Sequence, residues 1–145
     1  MAGEELTMSV RTLSMAGAKV VLAAAEKAAV AKGLAVSIAV VDNVGNLVSF
    51  QRVNNACVTS IEASIRKART AANLSAPTKV FEDLVDGGMT SLLTFEFISP
   101  SQGGLPIIVD GVTLGGIGSS GSTGDDDETI ARAGASALSE ALGAS

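Results

Sequence analysis

The most informative absence from this 145-residue sequence is histidine, of which there is none. Without imidazole the chain has no Ser-His-Asp triad, no histidine general base and no histidine ligand for zinc or haem iron. Acid–base chemistry would have to use carboxylates, lysines, hydroxyls or the single cysteine, Cys57. One cysteine also excludes an intrachain disulfide, so cysteine usage leaves the redox compartment open.

Positive charge and uninterrupted apolar runs are scarce as well. Ten Lys and Arg residues against fifteen Asp and Glu give a net charge of −5, which argues against nucleic acid as a partner. The opening MAGEELTM lacks the basic and apolar regions of a signal peptide. Charged residues interrupt the apolar stretch at 16–41, so we expect no membrane span and a cytoplasmic protein.

Apolar residues, by contrast, are abundant. They make up 47% of the chain, and charged residues only 17%. The length fits one domain over residues 1–145, and this composition predicts that part of the surface is hidden in a homo-oligomer.

Hydrophobic periodicity predicts four helices, at 9–32, 57–74, 78–85 and from Asp125 onward, and strands at 34–42, 47–52, 92–98, 105–109 and 112–119. In the first helix, Leu13, Ala16, Val20, Ala24 and Ala28 recur at helical spacing and are expected to form its apolar face. Turn residues at 43–46 and 110–111 indicate hairpins. The sequence therefore predicts an α+β fold, with an antiparallel sheet of about five strands flanked by helices in the order α-β-β-α-α-β-β-β-α.

Residues 116–121 match the G-x-G-x-x-G spacing of dinucleotide-binding loops. Only one helix follows them, so there is no room for the second strand of a dinucleotide fold. The acidic residues at the start of that helix would also repel a pyrophosphate. We expect the glycines to allow close backbone packing and Thr123 to cap the helix with Asp126. Contact of residues 119–123 with a ligand at a subunit edge stays open.

The cations Arg52, Arg66, Lys67 and Arg69 lie near Asp42 in the predicted topology. They indicate either an anion-binding cluster or a solvated helix face with ordinary ion pairs. Cys57 is expected to be a small core thiol or one near a helix cap. Three methionines could ligate haem iron, but core filling is the commoner role: Met8, Met15 and Met89.

The segments VVDNVGNLVSFQRVNNA, IRKARTAANL and GGLPIIVDGVTLGGIGSSGSTGDDDETIARAG together resemble the GlcG/HbpS family, which also occurs as the C-terminal domain of PduO-type proteins. The similarity runs from about Leu13 to Leu142. It implies an antiparallel sheet flanked by helices and assembly from dimers to octamers. Where the family often has Met-Asp-Gly-Ala after the arginine, this chain has Val53-Asn54-Asn55-Ala56.

The resemblance implies binding of a small ligand, with haem the candidate, and the cation cluster predicts that the ligand is anionic. No metal site is predicted, because the acidic run at 125–128 lacks the spacing of a calcium loop. The ligand-binding residues expected under this hypothesis are Arg52, Asn54, Asn55, Arg66, Thr70, Gly103, Gly104, Ser119 and Ser120. Of these, Arg52, Thr70, Gly103 and Gly104 match the family pattern. The alternative is a cofactor-independent enzyme of aromatic catabolism, such as a 2-aminomuconate-type deaminase or a tautomerase. Under that hypothesis the catalytic residues would be Asp42, Arg52, Lys67 and Asp110.

Overall fold

The computed structural model describes residues 3–143. Its elements are α1 (Met15–Ala31), β1 (Ser37–Asp42), β2 (Leu47–Arg52), α2 (Thr59–Leu74), α3 (Thr78–Asp86), a 3₁₀ helix (Thr90–Thr94), β3 (Gly104–Val109), β4 (Val112–Ser120) and α4 (Gly124–Leu142). The α+β class and the element order are confirmed, with four strands in this part of the chain instead of about five. None of the helices formed by residues 3–143 has the length and apolar character needed to cross a membrane.

The strands form one antiparallel sheet in the order β2-β1-β4-β3. Helices α1 and α4 cover one face of the sheet, and α2 covers the other. Pro106 lies in β3 at the sheet edge, as its missing N–H predicts.

The face beneath α1 and α4 carries the larger core side chains. Ile38, Ile107, Ile117 and Ile130 are fully buried there, and each contributes about 1.5–3 kcal/mol by leaving water. The face beneath α2 is lined by alanine, valine and glycine. At Gly118, a Cβ atom would overlap the carbonyl oxygen of Ser64. The expectation that the β4 glycines permit close backbone packing is therefore confirmed.

The first helix begins at Met15, later than predicted, and buries a different face. Ser14 is its N-cap, with Oγ accepting a hydrogen bond from the Gly17 N–H at 3.1 Å. The preceding main chain pairs with β4 instead, through Leu13 N–H to Leu114 O at 2.9 Å. The fully buried residues of α1 are Ala18, Val21, Ala25 and Ala29, and not the predicted Ala16, Val20 and Ala24. The prediction was wrong because this helix is apolar on two sides, so periodicity does not specify the inner one.

The predicted strand at 92–98 is also wrong. Residues Thr90–Thr94 form a 3₁₀ helix, and the chain continues without a strand partner. Its carbonyl groups instead accept hydrogen bonds from α2: Arg66 Nη2 donates to Glu96 O at 3.0 Å, and Thr70 Oγ1 donates to Phe97 O at 3.1 Å. Alternating apolar residues therefore do not form a strand where no sheet edge accepts them.

Candidate functional site

One end of the sheet gathers most of the residues predicted to bind a ligand. Ser37 begins β1 and lies opposite both Arg52, the last residue of β2, and Ser120, the last of β4. Gly104 begins β3 at this end as well. We call it the Arg52 end. Helices α2 and α4 also begin there, because each follows a strand that ends there.

The loop after β2, residues 53–58, forms a shallow concavity at this end. Arg52 donates two hydrogen bonds to the carbonyl of Ala56, from Nε at 3.1 Å and from Nη2 at 2.6 Å. Asn55 adopts a positive φ of 71°, a conformation that asparagine tolerates better than most residues. Arg52, Val53, Asn54 and Asn55 line a cavity of about 240 Å³. The structure thus brings the three predicted polar residues of this loop together.

Cys57 lies in the same loop, immediately before α2. It is exposed, so it does not belong to the core, although its place beside a helix start matches the other half of the prediction. Helix α2 has Val58 at its N-cap and no side chain capping it. A hydrogen bond with Thr59, whose Oγ1 is 3.5 Å from Sγ, lowers the pKa of the Cys57 thiol. The loop therefore combines a thiolate-prone sulfur with the positive end of a helix dipole.

Lys67 is buried beneath this end of the sheet. Its Nζ lies 3.2 Å from Asp127 Oδ2 and donates to Ser119 O at 3.0 Å. Asp127 also accepts a hydrogen bond from the Ser122 N–H at 3.2 Å. Burial raises the pKa of Asp127, and the Lys67 ammonium partly offsets this rise. Lys67 therefore does not lie on a solvated helix face.

The other predicted cations point to separate partners instead of forming one anion site. Arg66 donates to Glu96 O, and Arg69 Nε donates to Gly45 O at 3.1 Å. Arg52 is held by Ala56 O. Each of these guanidinium groups thus holds a different loop against the helix or the sheet.

The four residues of the enzyme hypothesis are not brought together. Asp42 ends β1 at the far end of the sheet. It lies five residues along the strand from Ser37, which pairs with Arg52, and this spacing corresponds to roughly 17 Å. Its Oδ1 accepts hydrogen bonds from the N–H groups of Val44 and Asn46. Asp110 lies in the β3–β4 turn at that same far end with φ of 51°. Both aspartates occupy turn positions where they shape the hairpins.

The remaining predicted ligand residues are mostly inaccessible. Thr70 is buried, and its Oγ1 accepts from Ser99 N–H at 2.9 Å. Gly103 has φ of 127°, and a Cβ atom there would lie 2.9 Å from Lys67 Nζ. Ser119 is fully buried, and its Oγ lacks a hydrogen-bond partner among the described residues. Ser120 is half-buried. Thr70, Gly103 and Ser119 are therefore enclosed by the protein, whereas Asn54, Asn55 and Cys57 in the loop at 53–58 are exposed.

Sequence reasoning missed two relationships here. They are the ion pair of Asp127 with Lys67 and the hydrogen bond of Thr59 with Cys57. The predicted cap is correct, since Thr123 Oγ1 accepts from the Asp126 N–H at 3.2 Å. One sequence feature could have separated Asp127: it lies three residues before the buried Ile130, on the inner face of α4.

Comparison with known proteins gives consistent matches. Residues 13–136 match the family model described as haem degrading protein HbpS-like. The chain is 36% identical to protein GlcG of Escherichia coli K12 over 106 residues, covering 73% of this chain and 79% of GlcG. Its fold is similar to the crystal structure of Klebsiella pneumoniae protein ORFY, with a TM-score of 0.89, 32% identity and coverage of 95% and 98% of the two chains.

A further structural match is the crystal structure of a PduOC–haem complex. Its TM-score is 0.78 at 28% identity, and the match covers 87% of this chain and 94% of that one. The family model alone spans most of the present sequence. The chain therefore belongs to the HbpS-like family.

Proposed function

We propose that this protein is a small-ligand-binding homo-oligomer, with haem as the candidate ligand and the loop at 53–58 as its binding surface. The observation that carries the proposal is that Arg52, at the end of β2, lines one concavity with Asn54 and Asn55, while the exposed, thiolate-prone Cys57 follows two residues later in the same loop. Family membership supports it, and haem is the ligand named for the similar PduOC complex.

The donor groups of this loop fit haem in a chain that has no histidine. Cysteine thiolate is an established axial ligand of haem iron, and Cys57 is exposed with a lowered pKa. Arg52 uses Nε and Nη2 on Ala56 O, so further guanidinium N–H groups are available for a propionate. When bound, haem would supply one-electron and oxygen chemistry at its iron, while Cys57, Arg52 and the asparagines would hold and orient it.

The size of the concavity favours a ligand shared between subunits. Its volume of about 240 Å³ is below the roughly 300–1,000 Å³ of typical enclosed ligand sites. A porphyrin lying on this loop would keep one face uncovered by the same chain. A second copy supplying the opposite wall would complete the enclosure, which links ligand binding to the oligomer.

Methionine is the competing source of an iron ligand. Met8, Met15 and Met89 are 84%, 64% and 47% exposed, so the expectation that they fill the core is wrong. None of them belongs to the loop at 53–58 that carries the asparagines and Cys57. Haem held by a thioether would therefore lie elsewhere on the surface, which spectroscopy distinguishes from thiolate ligation.

The test is titration of the purified protein with haemin, followed in the Soret region. We expect saturable binding, with a ferrous–carbonyl band at the long wavelength that thiolate ligation produces. Cys57→Ser should remove that band position, and Arg52→Gln should weaken binding about tenfold, since a charged hydrogen bond contributes about 1.5–3 kcal/mol. Met89→Leu is the control and should bind as the unaltered protein does. Absence of saturable binding, or a spectrum that changes only in Met89→Leu, would refute this site.

A further inference from the structure

Helix α1 exposes an apolar surface on the side away from the core. Val20 is 39% exposed and Val30 62%. They recur at helical spacing with small and basic residues, forming what we call the α1 outer face: Ala16, Lys19, Val20, Ala23, Lys27 and Val30. The exposed valines leave apolar surface in contact with water, and covering it with a partner would be favourable.

A second uncovered apolar surface lies on α3 and the segment after it. Thr78 is the only residue of α3 that is fully buried. The rings of Phe95 and Phe97 are 5.6 Å apart and about half exposed. Together the exposed residues form what we call the α3 patch: Val80, Leu84, Met89, Leu93, Phe95 and Phe97. Contiguous apolar surfaces of this kind mark interaction sites.

The charges around the two surfaces are of opposite sign. Residues 11–32 contain four basic residues and one acidic residue, whereas residues 78–98 contain four acidic residues and one basic residue. That one basic residue, Lys79, already pairs with Glu82 at 3.0 Å and with Asp83. Carboxylates thus outnumber cations around the α3 patch, where Arg66 of α2 also donates to Glu96 O, and the α1 outer face carries two exposed ammonium groups.

Pairing of either surface with itself would oppose like charges. If two copies of α1 packed antiparallel about Ala23, Lys19 of one copy would lie opposite Lys27 of the other. Two α3 patches would likewise bring their excess carboxylates together. Juxtaposed like charges at an interface cost several kcal/mol, so the favourable arrangement is one surface against the other.

We propose that the α1 outer face of one copy docks on the α3 patch of a second copy. The contact is heterologous, because α1 and α2, the neighbour of α3, lie on opposite faces of the sheet. A heterologous contact repeats from copy to copy and closes into a ring when its rotation allows. This inference rests on the oligomeric part of the proposed function and names the surfaces that build the oligomer.

The test is charge exchange, with mass measured by light scattering after size exclusion. Lys19→Glu/Lys27→Glu and Asp83→Lys/Asp86→Lys should each lower the mass below that of the unaltered protein. An equimolar mixture of the two variants should restore it, since each reversed surface then meets a complementary one. Arg132→Glu, a reversal at a side chain on α4 that is 62% exposed, is the matched control and should keep the full mass.

Three results would overturn the docking. They are a monomeric unaltered protein, charge variants of unchanged mass, and variants that dissociate but do not reassemble when mixed. Circular dichroism and thermal unfolding of each variant show whether a lower mass reflects lost folding. Haemin titration of the same variants separates the two proposals, because charge variants that keep both full mass and haem binding refute only the docking.

Discussion

Lys67 and Asp127 form an ion pair in the interior of this protein, with Nζ 3.2 Å from Oδ2 and the two side chains only 5% and 3% exposed. The pair joins the middle of α2 to the first turn of α4, on either side of the end of β4. Each charge is also hydrogen-bonded to main chain, at Ser119 O and Ser122 N. These additional hydrogen bonds offset part of the cost of removing the two charges from water.

Breaking the pair on one side should destabilise the protein strongly. Lys67→Met leaves Asp127 buried without its cation, for which we expect a loss of about 3–5 kcal/mol in the free energy of unfolding. Lys67→Met/Asp127→Leu removes both charges and should recover much of that loss. Urea denaturation measures both variants, and a double variant as unstable as the single one would contradict the electrostatic explanation.

Loss of the cation should also make stability depend on pH in a defined direction. The pKa of Asp127 is raised above its ordinary 3.8 by burial, and Lys67 partly offsets this. A carboxyl with a raised folded-state pKa binds its proton more tightly in the folded protein, so its contribution falls as pH rises through that pKa. In Lys67→Met the ammonium group is absent, so the pKa of Asp127 should rise further.

The comparison that isolates this effect is Lys67→Met against Lys67→Met/Asp127→Leu. As the pH rises from the acid range, where Asp127 is protonated in both states, toward neutrality, the single variant should lose stability relative to the double variant. Because the other titrating groups are common to both proteins, their contributions cancel. A difference that stays constant over this range would show that Asp127 does not titrate as expected.

Close packing of β4 against α2 predicts a penalty for any side chain at Gly118. A Cβ atom there overlaps the Ser64 carbonyl, and because that atom is main chain the helix itself must move. We expect Gly118→Ala to lower the free energy of unfolding by about 1–3 kcal/mol or more. Gly3→Ala, where a Cβ meets nothing within 4 Å, is the matched control. Equal thermal stability of the two variants would contradict the packing described here.

The Cys57 thiol should react at lower pH than an ordinary cysteine. Its hydrogen bond with Thr59 is the largest cause of its lowered pKa, so more thiolate is present near neutral pH. The rate of alkylation by iodoacetamide, followed against pH, should have its midpoint below that of a free cysteine. Thr59→Val should move the midpoint upward, while Ser91→Ala, a change on a distant exposed residue, should leave it in place. A midpoint unchanged in Thr59→Val would remove Thr59 from this role.

Local sequence predicted much of the fold because its determinants are local. The hairpin turn at Asp110-Gly111 follows from residues that adopt positive φ, and the start of α4 follows from Thr123 and its cap. The strand predicted at 92–98 is wrong, because this segment packs against α2, whose side chains bind the carbonyl groups of Glu96 and Phe97. The inner face of α1 failed as well, since an alanine-rich helix offers two apolar sides and only packing selects one.

The sequence by itself determined the α+β class, the hairpins and the family, because turn residues, strand composition and the order of motifs can be recognised in local stretches of sequence. Only the tertiary structure decided which polar residues meet. In the folded protein Lys67 is buried against Asp127, sixty positions away. The neighbouring arginines bind separate loops, and Asp42 and Asp110 lie at the end of the sheet opposite Arg52. Such partnerships depend on the order of the strands and the rotation of the helices. Both are determined by contacts between distant parts of the chain, so no short stretch of sequence predicts them.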